Sequence, residues 1–346
     1  MIRRVATNIL KALATVAKSK TVNASVFRNY AVLSSKGDQT IEHNTKTETN
    51  RLSKTLKKFW INVDTRFNEK TQSWDICLDD KPIKTPLGFP LAIPKCKKDL
   101  AYLVAHEWAN LANMKVKTNS LPLTSLVART IDLKETNKND NPDLVAKVGN
   151  LDDIKMEFLR FFNTDTCLIF TTKDEYDGRL RQRQDELYLP LIKEYEDFFT
   201  KWGKEHDLLP EPSFKVTINY LDCETDGIRG NDQDAITQKI VLNWLDALPV
   251  DDIVAMEKTI MTAKSFLCGA LLVRSNCGDP KLMKELYQFN KDGPETYFHK
   301  TIPEIIELGN LETIYQTEEW GEVEDTHDVD KVDWIRNLTA AALLVH

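Results

Sequence analysis

Trp74-Asp75-Ile76-Cys77-Leu78-Asp79-Asp80-Lys81-Pro82 is the stretch on which the fold class turns. Its first six residues partly alternate, with aromatic and β-branched members, which is strand character. Asp79-Asp80-Lys81-Pro82 then reads as a turn. Upstream, Phe59-Trp60-Ile61-Asn62-Val63 has the same strand character, and downstream Pro86, Gly88, Pro90 and Pro94 punctuate further short extended pieces. The pattern changes near Lys97, where Leu100, Leu103, Val104, Trp108 and Leu111 recur at helical spacing toward Met114. Leu121-Pro122-Leu123-Thr124 opens another apolar segment through Val127 and Ile131, and the polar, Asn-rich residues 134–142 suggest a domain boundary.

Beyond that boundary helical patterns dominate. Ile154, Phe158, Phe161 and Phe162 share a face, and Leu180, Leu187, Leu191, Tyr195, Phe198 and Trp202 outline a long helix with Pro190 as an expected kink. Residues 214–220 alternate, as a lone strand or an extended segment laid on helices. Further helices are expected over 234–247, 251–275, 280–289, 303–320 and 330–345. The sequence therefore predicts an α+β protein. A small β-rich amino-terminal domain with one long helix would span residues 56–140, and a larger α-helical carboxy-terminal domain would span 141–346.

The first thirty residues carry Arg3, Arg4, Lys11, Lys18, Lys20 and Arg28 and no acid. Ile2, Val5, Ile9, Leu13 and Val16 form one apolar stripe. An acid-free, Arg-bearing amphipathic helix has the form of a mitochondrial presequence, the alternative being a surface helix or a basic arm. Residues 31–55 are polar and short of large apolar side chains, so a flexible lead-in is expected there. The chain of 346 residues carries a formal charge of −7, and removing those six basic residues would leave −13. Such a chain is poorly suited to nucleic acid, which needs clustered Lys and Arg, and suited to a basic partner surface. The six cysteines form no C-x-x-C pair, so free and mostly buried thiols are expected. No apolar run is long enough to suggest membrane insertion.

Motifs of catalysis are missing or broken. His106-Glu107 begins like a zinc-binding H-E-x-x-H helix, but Asn110 stands where the second His must be. Glu107 and Trp108 read more simply as a helix face and its core anchor. Asp222-Cys223-Glu224-Thr225-Asp226-Gly227 begins like a calcium loop, but Gln233 stands where a bidentate Glu is required. The chain has no phosphate-binding glycine loop and no G-x-S-x-G elbow. Arg179-Leu180-Arg181-Gln182-Arg183-Gln184 is a basic stretch in an acidic protein, read as a solvated face pairing with Asp185 and Glu186, or else as a partner contact. The run from Glu318 to Asp328 is the densest acidic cluster. It is either a polar connection in which Gly321 caps a helix, or a negative patch that meets basic groups on a partner.

Several blocks in register resemble one family. They are Lys58-Phe59-Trp60, Leu78 to Pro86, Val104-Ala105-His106-Glu107-Trp108, and Leu121-Pro122-Leu123-Thr124-Ser125-Leu126 ending at Ile131-Asp132. In the second half they are Phe162 to Cys167, Arg183-Gln184 leading to Pro190-Leu191, and Tyr315-Gln316 with Trp320-Gly321. Together they resemble the mitochondrial and α-proteobacterial chaperones that hold the alpha subunit of the ATP synthase catalytic sector before assembly. That resemblance implies a matrix protein without cofactor or metal, expected to be monomeric, that covers the alpha subunit's apolar, beta-facing surface until the beta subunit replaces it. It implies no enzymatic activity. It also implies a client-binding acid in the carboxy-terminal part, here Glu324 or Glu322 within a cluster that includes Glu318 and Glu319. Trp108, Glu107, Trp320 and Gly321 are its structural motif positions. The lead-in and residues 134–142 carry no family signal, and the loop from Asp222 to Gln233 differs from the proline-rich form of the family, so no role is carried onto it. The competing expectations are a matrix enzyme gathering distant residues such as His106, Asp165 and His327 in a deep polar pocket, and a subunit that stays in the finished complex.

Overall fold

The structure is a computed structural model that describes residues 60–111, 120–139, 141–227, 229–288, 298–323 and 326–345. The expected presequence and lead-in, and with them Phe59 and Met114, lie outside these residues. Val63–Asn68 (β1) and Ser73–Leu78 (β2) pair antiparallel, from Val63 opposite Leu78 to Asn68 opposite Ser73. Trp60, Ile61 and Asn62, expected within a strand, lie ahead of β1, which begins at Val63. Asn62 and Ile61 instead donate their backbone N–H groups to Asp79 Oδ1, at 2.9 and 3.1 Å. These two bonds favour the charged carboxylate and hold the Asp79 carboxyl below the usual range. Asp79 itself adopts φ 54° and turns the chain, but the turn is confined to Asp79-Asp80, because Lys81 and Pro82 already pair with β2. Lys81–Pro82 (β3) and Ala92–Pro94 (β4) both pair antiparallel with β2.

Lys98–Ala109 (α1) packs on this small sheet through buried Leu100, Ala101 and Val104. Pro122–Asn139 (α2) continues as helix through part of the polar stretch that begins at Lys134. The reason is tertiary: Lys134 pairs with buried Asp251, and Lys97 reaches the same carboxylate at 3.0 Å and the Leu344 carbonyl at 2.6 Å. Pro142–Val148 (α3) and Leu151–Asn163 (α4) each open on an asparagine cap, with Asn141 accepting the Asp143 N–H and Asn150 the Asp153 N–H. α4 buries Ile154, Phe158 and Phe162 of the expected face, while Phe161, a helical step of about 100° from Phe162, is only partly buried.

Ile169–Phe170 (β5) pairs in parallel with Leu221–Asp222 (β6). Between them, Arg179–Glu205 (α5) runs for 27 residues with Pro190 inside it. Residues 214–220 form an extended segment rather than a strand. Its backbone donors bond side chains of α5: Val216 N–H to Thr200 Oγ1 and Ile218 N–H to Glu196 Oε1, both at 2.9 Å. Buried amides need partners, and a strand ladder is not the only supplier.

Ala235–Ala247 (α6), Val250–Ala263 (α7) and Phe266–Asn276 (α8) carry much of the core. The single helix expected over 251–275 is two. Lys264 takes φ 53°, and Ser265 caps α8 by accepting the Cys268 N–H at 3.0 Å. α8 is buried all round, as an apolar-faced helix at the centre of a core should be. Pro280–Glu285 (α9), Ile302–Trp320 (α10) and His327–Leu344 (α11) follow. The described residues are mostly helical with a small strand-containing region. No helix among them is long and apolar enough to cross a membrane.

Candidate functional site

The acidic cluster sits where α10 ends. The helix starts on a capping box, in which Glu304 accepts the Thr301 N–H at 2.8 Å and its hydroxyl at 2.7 Å. Those bonds pull the Glu304 carboxyl down to about 2. The other end is electrostatically opposite. Glu318 and Glu319 occupy the last turn, with no basic residue of the helix there to offset the negative pole of its dipole. Arg179, at the start of α5, reaches Glu318 at 4.0 Å and Glu319 at 3.6 Å across exposed surface. Trp320 is 74% exposed, an unusual placement for an indole. Gly321 takes φ 84° and its N–H bonds the Thr317 carbonyl at 2.9 Å, so it ends the helix as expected. Glu322 and Val323 are exposed, and Glu324 lies outside the described residues. Further along the chain, α11 leaves Val329, Val332 and Ile335 exposed, a row at three-residue spacing. The site is therefore a set of carboxylates beside exposed apolar side chains.

The basic stretch on α5 is spent within the molecule. Arg181 holds Asp222 with two bonds at 2.8 and 2.7 Å and reaches Asp185 at 2.9 Å. Arg183 bonds Glu307 at 2.6 Å and Glu186 at 3.1 Å. Arg181 keeps the Asp222 carboxyl below its usual range, so the loop that began like a calcium site is held by a guanidinium.

Glu107 and Trp108 form a joint between α1 and α2. Glu107 accepts the N–H groups of Leu123 and Thr124, at 2.8 and 2.9 Å, where α2 begins. Trp108 donates its indole N–H to Thr124 Oγ1 at 3.0 Å and meets the Trp60 ring edge-on at 5.3 Å. Burial is the main influence on Glu107 and raises its carboxyl despite those bonds. His106, Asp165 and His327 are each committed separately. His106 is exposed beside the Asn110 amide, and His327 Nδ1 accepts the Val323 N–H at 2.9 Å. Asp165 is fully buried, accepting the Cys167 and Leu267 N–H groups at 2.8 Å each. A cavity of about 810 Å³ bordered by Arg129, Phe158 and Lys258 includes none of the three. Among the described residues no group of three His, Cys, Asp or Glu side chains could hold a metal ion.

A family model described as the ATP12 chaperone protein matches residues 57–196. The chain is 43% identical to the Saccharomyces cerevisiae protein "Protein ATP12, mitochondrial" over 309 residues, which covers 88% of this chain and 89% of that one. The chain belongs to the ATP12 chaperone family. A Schizosaccharomyces pombe relative, also named mitochondrial, is 29% identical over 84% of this chain and 82% of its own length. The crystal structure of Atp12 from Paracoccus denitrificans shares the fold, with a TM-score of 0.53 and 18% identity over 84% of this chain and 97% of that one.

The ATP12 family match takes in the joint at Glu107 and Trp108 and the start of α5, but stops before α10. The structure brings Glu318 and Glu319 together with Arg179, and it leaves Glu107 and Trp108 in the joint they make with Trp60 and Thr124. The sequence reading missed Tyr176. Its ring lies 6.1 Å from that of Trp320 and 6.0 Å from that of Tyr315. The only local signal was the acid-rich turn Asp174-Glu175-Tyr176-Asp177-Gly178 ahead of a helix.

Proposed function

We propose that this chain is an assembly chaperone for the unassembled alpha subunit of mitochondrial ATP synthase, acting in the matrix. It covers the alpha subunit's beta-facing apolar surface until the beta subunit replaces it. Membership of a chaperone family is the ground for this reading. The observation that carries it to a site is the exposed Trp320 among Glu318, Glu319 and Glu322. Exposed apolar side chains supply contact area, and surrounding carboxylates select and orient a partner surface with basic groups. Release needs only a competitor with higher affinity, so no nucleotide, cofactor or chemical step is invoked.

In the same reading residues 1–30 direct import and are removed, and residues 31–55 are a lead-in. Residues 56–140 form a small amino-terminal domain and 141–346 a larger helical one, acting as a monomer. The test is direct. The imported form of the chain, mixed with isolated alpha subunit, suppresses light scattering at near-equimolar ratio and co-purifies with it. Capture of other matrix proteins without the alpha subunit overturns the proposal.

A further inference from the structure

A cavity of about 440 Å³ lies between the turn ahead of α5 and the last turns of α10. Its walls include two aromatic rings, Tyr176 and Trp320, with centroids 6.1 Å apart. Carboxylates line both sides: Asp174, Glu175 and Asp177 from the turn, Glu312 and Glu319 from the helix. Three of these have local partners. Glu175 accepts the Thr171 hydroxyl, Glu312 the Gln316 amide at 3.0 Å, and Glu319 faces Arg179 at 3.6 Å. Among the described residues, Asp174 and Asp177 have no ion-pair partner. The spread of the acids is wrong for a metal ion, since no three of them converge on one point. The rings supply what a metal ion does not need and an organic cation does: π faces that attract a flat positive group.

The same surface already holds one such group. The Arg179 guanidinium sits 5.7 Å from the Tyr315 ring centroid while facing Glu319. It leaves the side of the cavity bounded by Asp177, Tyr176 and Trp320 to a second cation. A guanidinium fits better than an ammonium, because its planar fork stacks on a ring and donates sideways to carboxylates at once.

We propose that this cavity is a subsite for an arginine side chain of the client, with the guanidinium against Trp320 and Tyr176 and its N–H groups donating to Asp177 and Glu312. The inference rests on the chaperone reading above and assigns the chemistry by which one point of the client is recognised.

The test has two arms on the full chain. In the first, N-acetyl-arginine amide and its neutral isostere N-acetyl-citrulline amide are titrated against the Trp320 indole NMR signal, assigned through Trp320→Phe. The arginine probe is expected to shift the signal saturably, with the citrulline probe about tenfold weaker or more. Asp177→Asn with Glu312→Gln should remove that difference. Asn tolerates the φ of 54° at residue 177, so the double variant keeps the turn. Equal response to both probes, no response, or a response to calcium that displaces arginine overturns the assignment. In the second arm, Trp320→Ala should weaken capture of isolated alpha subunit by about tenfold. Wild-type capture that is unchanged in Trp320→Ala overturns the subsite and leaves the chaperone reading standing. No capture by the wild-type chain overturns the chaperone reading itself.

Discussion

Glu107 and Thr124 bind each other twice: one carboxylate oxygen accepts both the Thr124 N–H, at 2.9 Å, and its hydroxyl, at 2.8 Å. A residue in the last turn of α1 thereby caps α2 from outside, where a helix start has N–H groups without intrahelical partners. The Thr124 oxygen also accepts the Trp108 indole N–H, so the adjacent Glu-Trp pair serves one joint.

Removing that cap should be costly to the fold rather than to recognition. Glu107→Ala leaves part-buried N–H donors at Leu123 and Thr124 unpaired, worth about 1–3 kcal/mol. Glu107→Gln keeps one carbonyl acceptor and should lose less. Urea midpoints of the two variants measure the order. At temperatures where both stay folded, capture of the client should match wild type.

Asp165 should make stability depend on pH in a defined window. Burial pushes its carboxyl up to about 6, against backbone N–H bonds that pull the other way. A raised native-state value means the fold takes up the proton more readily than the unfolded chain does. The contribution is therefore fully present below the unfolded value near 4 and is lost as pH rises through about 6. Asp165→Asn cannot titrate, and its amide turns a donor toward one of the two N–H groups. The variant should be less stable at every pH. Its deficit should widen by about 2 kcal/mol as pH falls from 7 to 4, read from denaturant unfolding of both proteins at each pH.

Gly269 of α8 faces side chains of α7 with no room for a side chain of its own. A Cβ there would lie 2.6 Å from Ile260 Cγ1 and 3.1 Å from Met256 Cγ, both on buried side chains. Gly269→Ala gains roughly 1 kcal/mol in helix propensity. Overpacking costs about 1–3 kcal/mol and should win, because the clash is with Cγ1 of a fully buried Ile260 rather than with the far end of a flexible side chain. Gly269→Val, with two more methyl groups, should lose more. Thermal unfolding gives the ranking wild type, Ala, Val.

How much of this was legible beforehand depends on the range of the interactions. The hairpin turn at Asp79 and the Gly321 helix stop were readable because each is decided within a few residues. The break between α7 and α8 was not. Helix-forming residues run on through 251–275 with no proline to mark a stop, and only the left-handed Lys264 and the Ser265 cap reveal it. Residues 214–220 alternate like a strand, yet their amides are taken by Thr200 and Glu196, which no local pattern announces. The acidic cluster was visible as composition. The aromatic cavity beside it was not, because Tyr176 and Trp320 come from distant elements.

Charge reversal separates the acids by what they already do. Glu318 and Glu319 are half-exposed partners of Arg179, and such pairs contribute at most about 1 kcal/mol. Glu318→Lys would cost little stability while also releasing Arg179 to repel a basic client. Glu322 is exposed, so Glu322→Lys should leave unfolding unchanged within about 0.5 kcal/mol. If this end of α10 meets basic groups on the client, Glu322→Lys with Glu324→Lys should slow association and weaken capture of the alpha subunit. Added salt should narrow the gap between wild type and variant by screening the attraction that only wild type has. Capture rates at low and high ionic strength test this. Equal rates for both proteins at low salt would move the client contact away from these two acids.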